Sequence, residues 1–269
     1  PYFPEPAREL LSQYGILVLA GAHDPVTFFG YPGTESHLIS KEQKKVIIGD
    51  EKENPLPGLR LLADHLSNRQ PFRKSKGNTA PLRPSGLPTG ALTAEATCRI
   101  LAAFVPEGAI VVDEGLTTSF PFYAMTGSSP CHSYLTIAGG SIGYGMPCAT
   151  GAALACPERP VINFQADGSA MYTVQALWTQ ARERLNVKTV LCSNNSYAII
   201  RTELERAGAS GLGSNALSLI DIDNPQLDWV KIAGGMGVPG IRATSAEHFI
   251  TILRTSLAEK GPFLIEVKL

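Results

Sequence analysis

The sequence has no excess of charge of either sign: 23 Lys and Arg stand against 24 Asp and Glu, a formal net charge of −1. It has no basic run and no interleaving of aromatic with basic residues, which argues against a nucleic-acid partner. It has no apolar run of membrane-spanning length, because Gly, Pro and charged residues interrupt the longest ones, so no membrane association is expected. The opening Pro1-Tyr2-Phe3-Pro4-Glu5-Pro6 has neither the basic start nor the apolar stretch of a secretory signal. It also lacks Met and reads as mid-protein sequence. Cysteine is scarce: Cys98, Cys131, Cys148, Cys156 and Cys192 form no Cys-x-x-Cys pair, and their odd number argues against a disulfide framework. Cys98, Cys148 and Cys192 lie in apolar runs and are expected to be buried free thiols, which implies a reducing, cytoplasmic compartment. The histidines His23, His37, His65, His132 and His248 show no metal-ligand spacing.

What is present is an alternation of helical and extended patterns, with 44% hydrophobic residues. That suffices for one large or two modest domains with packed cores. In residues 1–67, Ala7 to Tyr14 suits a helix and Ile16-Leu17-Val18-Leu19-Ala20 a buried strand. Phe28-Phe29 ends a second short helix, Lys45-Val46-Ile47-Ile48-Gly49 is another strand, and Leu59 to Leu66 is a closing helix. Gly21-Ala22-His23 invites a nucleotide reading, but it lacks the glycine spacing that lets a backbone approach a pyrophosphate. Residues 68–92, rich in Pro, Gly, Ser and basic residues without an apolar period, read as a linker.

Residues 93–269 form a second α/β unit. Thr93 caps a helix over Ala94 to Phe104, and Ala109-Ile110-Val111-Val112 is a strand ending at Asp113-Glu114. Ser141 to Ala155 is small-residue-rich and helical, and Tyr172 to Arg184 reads as one amphipathic helix bearing Val174, Leu177, Trp178 and Ala181. Trp178 either fills the core or anchors an interface, with the core favoured. Asn224-Pro225 opens another helix, Ser245 caps the last one, and Phe263-Leu264-Ile265-Glu266-Val267 is the final strand. Near-continuous apolar strands between helices indicate parallel sheets flanked by helices.

The chemistry-bearing pattern follows two of these strands. Ala166-Asp167-Gly168-Ser169 comes directly after the apolar Val161-Ile162-Asn163-Phe164. Asn194, 27 positions beyond Asp167, comes after the apolar run Val187 to Cys192. An Asp and an Asn at the carboxyl ends of two parallel strands place hard oxygen ligands beside backbone N–H groups, which suits Mg²⁺ bound to a diphosphate. Asp113-Glu114-Gly115-Leu116-Thr117-Thr118 ends a third strand. Between them, Ala138-Gly139-Gly140-Ser141-Ile142-Gly143-Tyr144-Gly145 has glycines that permit close backbone approach to a ligand, or that serve plain helix-to-sheet packing.

Four motifs carry a family resemblance: Gly140-Ser141-Ile142-Gly143-Tyr144-Gly145-Met146-Pro147, Pro157-Glu158-Arg159, Ala166-Asp167-Gly168-Ser169 and Ala176-Leu177-Trp178. They resemble the cofactor domain of thiamine-diphosphate enzymes of acetolactate synthase-like and benzoylformate decarboxylase-like type. The resemblance covers essentially the whole chain. It implies that residues 1–67 are the latter part of a Rossmann-like middle domain and 93–269 the diphosphate-binding domain. It further implies that Asp167, the Asn194 side chain and the Ser196 carbonyl hold Mg²⁺, and that Gly168, Ser169 and Thr117 meet the diphosphate. Gly140 would offer a carbonyl to the aminopyrimidine, Ile142 would be the wedge under a bent cofactor, and Tyr197 and Ile199 would line the site. Two of these have plain alternatives, core packing for Ile142 and a helix cap for Thr117. FAD stays open as a further cofactor that no residue here supports.

The sequence departs from that family in three ways. Ala166 replaces the usual first Gly, and Ser193-Asn194-Asn195 stands where Asn-Asn is common, so Asn195 is the alternative metal ligand. No segment resembles the separate N-terminal domain that carries the activating glutamate; Glu114 matches a cofactor-domain position instead. The chain therefore reads as the C-terminal half of a larger enzyme. Its partners would be a 2-oxo acid and its own N-terminal half or another subunit, in a homodimer or homotetramer. The implied activity is 2-oxo acid decarboxylation or carboligation of acetolactate synthase-like type, with benzoylformate decarboxylase-like activity second. A non-catalytic assembly or regulatory module is the alternative of another class.

Overall fold

Ile16–Ala20 and Lys44–Ile48 are the first two extended runs, and in the computed structural model they pair in parallel as β1 and β2, with Ile16 opposite Lys44. The structure describes residues 2–49, 52–69, 86–209 and 211–269. The chain divides into two compact units, Pro1–Thr79 and Ala80–Leu269. The first unit adds helices α1 (Pro4–Ser12) and α2 (Leu56–Arg69). The short helix expected to end at Phe28-Phe29 does not form. The segment between β1 and β2 is irregular and closed by a Val26–His37 bridge. Pro25, Pro32 and two glycines, Gly30 and Gly33, interrupt any helical ladder there. Ile16, Val18 and Ile47 are exposed at 60%, 47% and 61%. Parallel sheets are ordinarily covered on both faces and two strands alone are marginal, so this sheet is suited to further covering structure. Of the expected linker, residues 70–85 lie outside the described residues.

The second unit is built on six parallel strands. In chain order it runs α3 (Ala94–Phe104), β3 (Ile110–Glu114), a 3-10 turn (Leu116–Thr118), α4 (Phe122–Met125), β4 (Ser133–Thr136) and α5 (Gly145–Ala155). It continues with β5 (Val161–Ala166), α6 (Asp167–Thr173), α7 (Ala176–Arg182), β6 (Val187–Ser193), α8 (Ala198–Arg206) and α9 (Ser214–Ser218). It closes with α10 (Trp229–Gly235), β7 (Gly240–Ala243), α11 (Ala246–Ala258) and β8 (Phe263–Lys268). The strand order is β4-β3-β5-β6-β8-β7. Alternate residues face opposite layers. Ile162, Phe164 and Val111 pack with Ile100 and Leu101 of α3 and with Phe249 and Leu253 of α11. On the other face Val112, Val161 and Val187 meet Ala149 and Ala153 of α5, while Leu191 and Leu264 meet Leu177 and Trp229. Both faces are thus covered, as the apolar strands require. From β3 the chain moves one way to β4, then returns to β5 on the other side, so the order reverses between β3 and β5. In open α/β sheets, ligands bind beyond the carboxyl ends of the strands at such a reversal.

Local signals account for several boundaries. Thr93 accepts from the Ala96 N–H at 3.1 Å, and Ser245 from the His248 N–H at 3.2 Å. Three expected helices are corrected. The Ser141–Ala155 helix starts only at Gly145, because Gly143 takes a φ of 99°. The Tyr172–Arg184 helix is two helices, broken where the β-branched Thr173 and Val174 follow one another and the Thr173 hydroxyl donates to the Gly143 carbonyl at 2.9 Å. The break leaves Trp178 55% exposed, with the Arg182 guanidinium 5.5 Å from its ring centroid, so it does not fill the core. Asn224-Pro225 opens no helix; Asp223 and Gln226 pair across it, and Asp228 caps α10 by accepting from the Lys231 N–H.

One buried cation stands apart from the site. Lys188, 2% exposed, donates from Nζ to the Gly261 carbonyl at 2.5 Å. Burial lowers its pKa from 10.5 to about 8. Between those values the unfolded chain binds more protons than the folded one, so this residue's contribution to stability rises with pH across that window. The Lys188→Met protein should therefore be more stable than the parent at pH 7, with the gap narrowing towards pH 10. Urea midpoints across that range test it, and a gap independent of pH contradicts it.

Candidate functional site

Three strand ends and one glycine loop meet at this end of the sheet. β5 delivers Asp167 as the first residue of α6 and buries it to 1% exposure. Its Oδ1 accepts from the Gly168 N–H at 2.9 Å and its Oδ2 from the Asn195 N–H at 2.6 Å. Burial raises its pKa above the usual carboxylate value, and the backbone bonds from Asn195, Gly168 and Asn194 oppose that rise. The bond from the Asn195 N–H ties the end of β5 to the loop after β6.

That loop is tightly specified. Asn195 has a φ of 57°, a left-handed conformation that Asn tolerates better than most residues. Its carbonyl accepts from the Ile222 N–H at 2.9 Å, and its side-chain oxygen accepts from the Ser193 hydroxyl at 3.4 Å. The Asn194 Oδ1 accepts from the Ser196 N–H at 3.0 Å, which leaves that carbonyl a second lone pair. The Tyr197 N–H donates to the Ile220 carbonyl at 2.8 Å. The Ser196 hydroxyl donates to the Ile220 carbonyl at 3.1 Å and reaches Asp221 Oδ1 at 3.3 Å, an oxygen that also accepts from Arg201 at 2.7 Å. Segment 220–222 therefore straps the loop in place, a role that no local pattern in the sequence announces.

The predicted residues fall as follows. Gly168 lies under the Tyr197 ring: a Cβ there would come within 2.6 Å of it. Burial raises the Tyr197 pKa. The Ser169 hydroxyl is fully buried, accepting from Gln165 Nε2 at 2.7 Å and reaching the Ala166 carbonyl at 3.1 Å. Its side chain is therefore committed to contacts within the protein. Thr117 lies inside the 3-10 turn, which Gly115 precedes and which packs against β5 and α8, so it caps no α-helix. Gly140 has a φ of 73° in the loop before α5, and Ile142 is half-buried outside the three core clusters. Ile199 is half-buried in the first turn of α8. The structure thus joins Asp167, Gly168, Asn194, Ser196 and Tyr197 by direct contacts, and sets Thr117, Gly140, Ile142 and Ile199 on adjoining elements.

Two residues that the sequence left without a role organise this end of the sheet. Glu114, 1% exposed, accepts from the N–H groups of Gly143, Tyr144 and Gly145. Asp113 accepts from the Gly115 N–H at 2.8 Å and from the Tyr134 hydroxyl, and burial raises the pKa of both side chains. The available signal was two acids closing an otherwise apolar strand.

The donor set fits a magnesium diphosphate. Asp167, Asn194 and Ser196 are hard oxygen donors on neighbouring strand ends. Among the described residues no three His, Cys, Asp or Glu side chains gather as a metal site. Mg²⁺ is commonly held by one or two carboxylates together with phosphate oxygens rather than by an all-protein cage. Among the described residues no helix is long and apolar enough to cross a membrane.

A parallel α/β sheet with acidic and glycine-rich strand ends at its switch point defines a diphosphate-binding class of domain. Residues 118–267 match the family model described as thiamine pyrophosphate enzyme, C-terminal TPP binding domain, and the chain belongs to that family. It is 46% identical over 271 aligned residues to IlvX of Mycobacterium tuberculosis, whose name assigns it provisionally to the acetolactate synthase large subunits; the match covers 99% of this chain and 51% of that protein. It is 35% identical over 218 residues to benzoylformate decarboxylase of Pseudomonas aeruginosa, covering 80% of this chain and 37% of that one. Its fold superposes on the thiamine diphosphate-dependent 4-hydroxybenzoylformate decarboxylase of Rhodococcus jostii RHA1 with a TM-score of 0.72 and 26% identity, over 94% of this chain and 48% of that one. The chain thus spans about half the length, or less, of these relatives.

Proposed function

We propose that this chain is the cofactor-holding part of a thiamine-diphosphate- and Mg²⁺-dependent 2-oxo acid decarboxylase or carboligase of acetolactate synthase-like type. The observation that carries the reading is the bond between Asp167 and the Asn195 N–H, which brings a carboxylate, the Asn194 amide and the Ser196 backbone to one strand-end cluster. In this reading Asp167, the Asn194 side chain and the Ser196 carbonyl hold Mg²⁺. Gly168, the Ser169 N–H and Thr117 meet the diphosphate, Gly140 and Ile142 meet the rings, and Tyr197 and Ile199 wall the site. When bound, thiamine diphosphate supplies the electron sink for the pair released as a 2-oxo acid loses CO₂. This chain's residues hold the charged end, fix the loop conformation and exclude water. The 46% identity to IlvX across nearly the whole chain supports the acetolactate synthase-like assignment.

Benzoylformate decarboxylase-like activity is the second reading, favoured by the relatives from Pseudomonas aeruginosa and Rhodococcus jostii. Pyruvate and benzoylformate offered to the full-length protein separate the two: acetolactate forms in the first case, benzaldehyde in the second. Neither product, at saturating cofactor, favours the regulatory module. The donor set argues against that module, since a domain without cofactor has no use for a buried carboxylate at this position.

The reading also implies that the chain works in an assembly, with its own N-terminal half or another copy. Exposed Met171, Tyr172 and Trp178 on α6 and α7, and the open sheet of the first unit, supply apolar surface for it. Light scattering on the same preparation should report a species larger than one chain.

A further inference from the structure

We propose that Glu114 is a positioning residue that holds the glycine loop and the Asp167-Gly168-Ser169 turn at a fixed spacing; this deepens the cofactor reading above and rests on it. The carboxylate is shared by two parts of the site. Its Oε1 accepts from the Gly143 N–H at 2.6 Å and the Tyr144 N–H at 3.0 Å, and its Oε2 from the Gly145 N–H at 2.8 Å. Oε2 also accepts from Gln165 Nε2 at 2.9 Å, and the same Nε2 donates to the Ser169 hydroxyl at 2.7 Å. One side chain at the end of β3 thus spans the loop before α5, the end of β5 and the first turn of α6.

The loop has need of such an anchor. Gly139, Gly140 and Gly143 have φ values of 78°, 73° and 99°, and glycine in such conformations is permitted rather than enforced. The residues assigned to the cofactor's rings, Gly140 and Ile142, lie directly before the three anchored N–H groups. The anchor works only because Gly145 has no side chain: a Cβ there would come within 2.9 Å of the Glu114 Cβ. A buried carboxylate with several N–H donors makes charge-assisted bonds, stronger than those between neutral groups. A Gln in its place offers one acceptor oxygen and turns an NH₂ towards donors, so at least one loop N–H loses its partner.

The test uses the full chain and two readouts. In Glu114→Gln, amide hydrogen exchange at residues 143–145 should quicken by about tenfold or more without ligand, as expected on losing a bond to a charged group. Exchange in β5 and β6 should stay as in the parent. Equilibrium binding of thiamine diphosphate with Mg²⁺ should weaken by about 10–100-fold, the usual effect of removing a residue that orients a site's ligands. Unchanged exchange at 143–145 overturns the anchor. Quickened exchange with parental cofactor affinity overturns the positioning role. A parent chain that takes up no cofactor overturns the cofactor reading and this inference with it. Should Glu114→Gln fail to fold, Gln165→Met removes the relay from the Glu114 carboxylate to Ser169, and leaves in place the loop bonds and the Ser169 hydroxyl's bond to the Glu114 carbonyl at 3.3 Å. It should keep slow exchange at 143–145 and lose about tenfold in cofactor affinity, and parental affinity in that variant overturns the proposal.

Discussion

Replacing Asp167 by Asn should abolish the protein's stabilisation by thiamine diphosphate with Mg²⁺, while in the ligand-free protein two effects on stability oppose one another. Asn removes a buried charge, but it turns an NH₂ towards the Gly168 or the Asn195 N–H, and that donor loses its partner. Asp167 is 1% exposed, and burial raises its pKa despite the N–H groups it accepts from. A raised carboxylate pKa means that the folded state binds the proton more tightly than the unfolded one. Ionisation therefore costs stability as pH rises from the usual carboxylate range towards the folded-state pKa. A ligand at a hundred times its dissociation constant stabilises the parent by about 2.7 kcal/mol, because it binds only the folded state. In the proposed site the variant would lack the carboxylate that holds a diphosphate-bound Mg²⁺, and it should show no such gain. Thermal unfolding with and without cofactor measures both. A variant that is still stabilised by cofactor excludes Asp167 as a metal ligand.

Gly145→Ala should be the most damaging small substitution in the second unit. The added Cβ would lie 2.4 Å from Gln165 Oε1, 2.8 Å from Glu114 Oε2 and 2.9 Å from the Glu114 Cβ. Neither side chain can retreat: both are buried, Glu114 holds three loop N–H groups, and Gln165 is bonded to Glu114 and Ser169. Overpacking of this sort costs about 1–3 kcal/mol, and each hydrogen bond to the carboxylate that breaks adds about 1.5–3 kcal/mol. For a domain of this size each kcal/mol lowers the melting temperature by about 2–4 °C. With one such bond broken, a fall of roughly 5–25 °C is expected. Gly151→Ala is the control, because its Cβ would meet nothing within 4 Å. Equal melting temperatures for the two variants would show that the strand-end network yields freely.

The sequence alone carried the β-strands of the core and the two ends that matter most. Val161–Ala166 and Val187–Ser193 are legible because strands buried on both faces must be apolar almost throughout, and Asp167 and Asn194 are conspicuous as the polar residues that follow them. Thr93 and Ser245 were legible as caps because capping is local chemistry. Helix continuity was not. Tyr172–Arg184 has a helical period throughout, and only the bond from Thr173 to the Gly143 carbonyl, thirty residues away, shows where the chain turns and why Trp178 stays outside. The short β4 and β7 were missed because four residues carry too little pattern. The roles of Glu114, Gln165 and Asp221 belong to the same class. Each acts through bonds to residues distant in the chain, so nothing beside them in the sequence reports what they hold. Residue type and period decide which segments become strands and where a ligand's charge can be met. Which backbone N–H groups a buried carboxylate gathers is decided only when the strand order brings β3, β5 and the glycine loop to one end of the sheet.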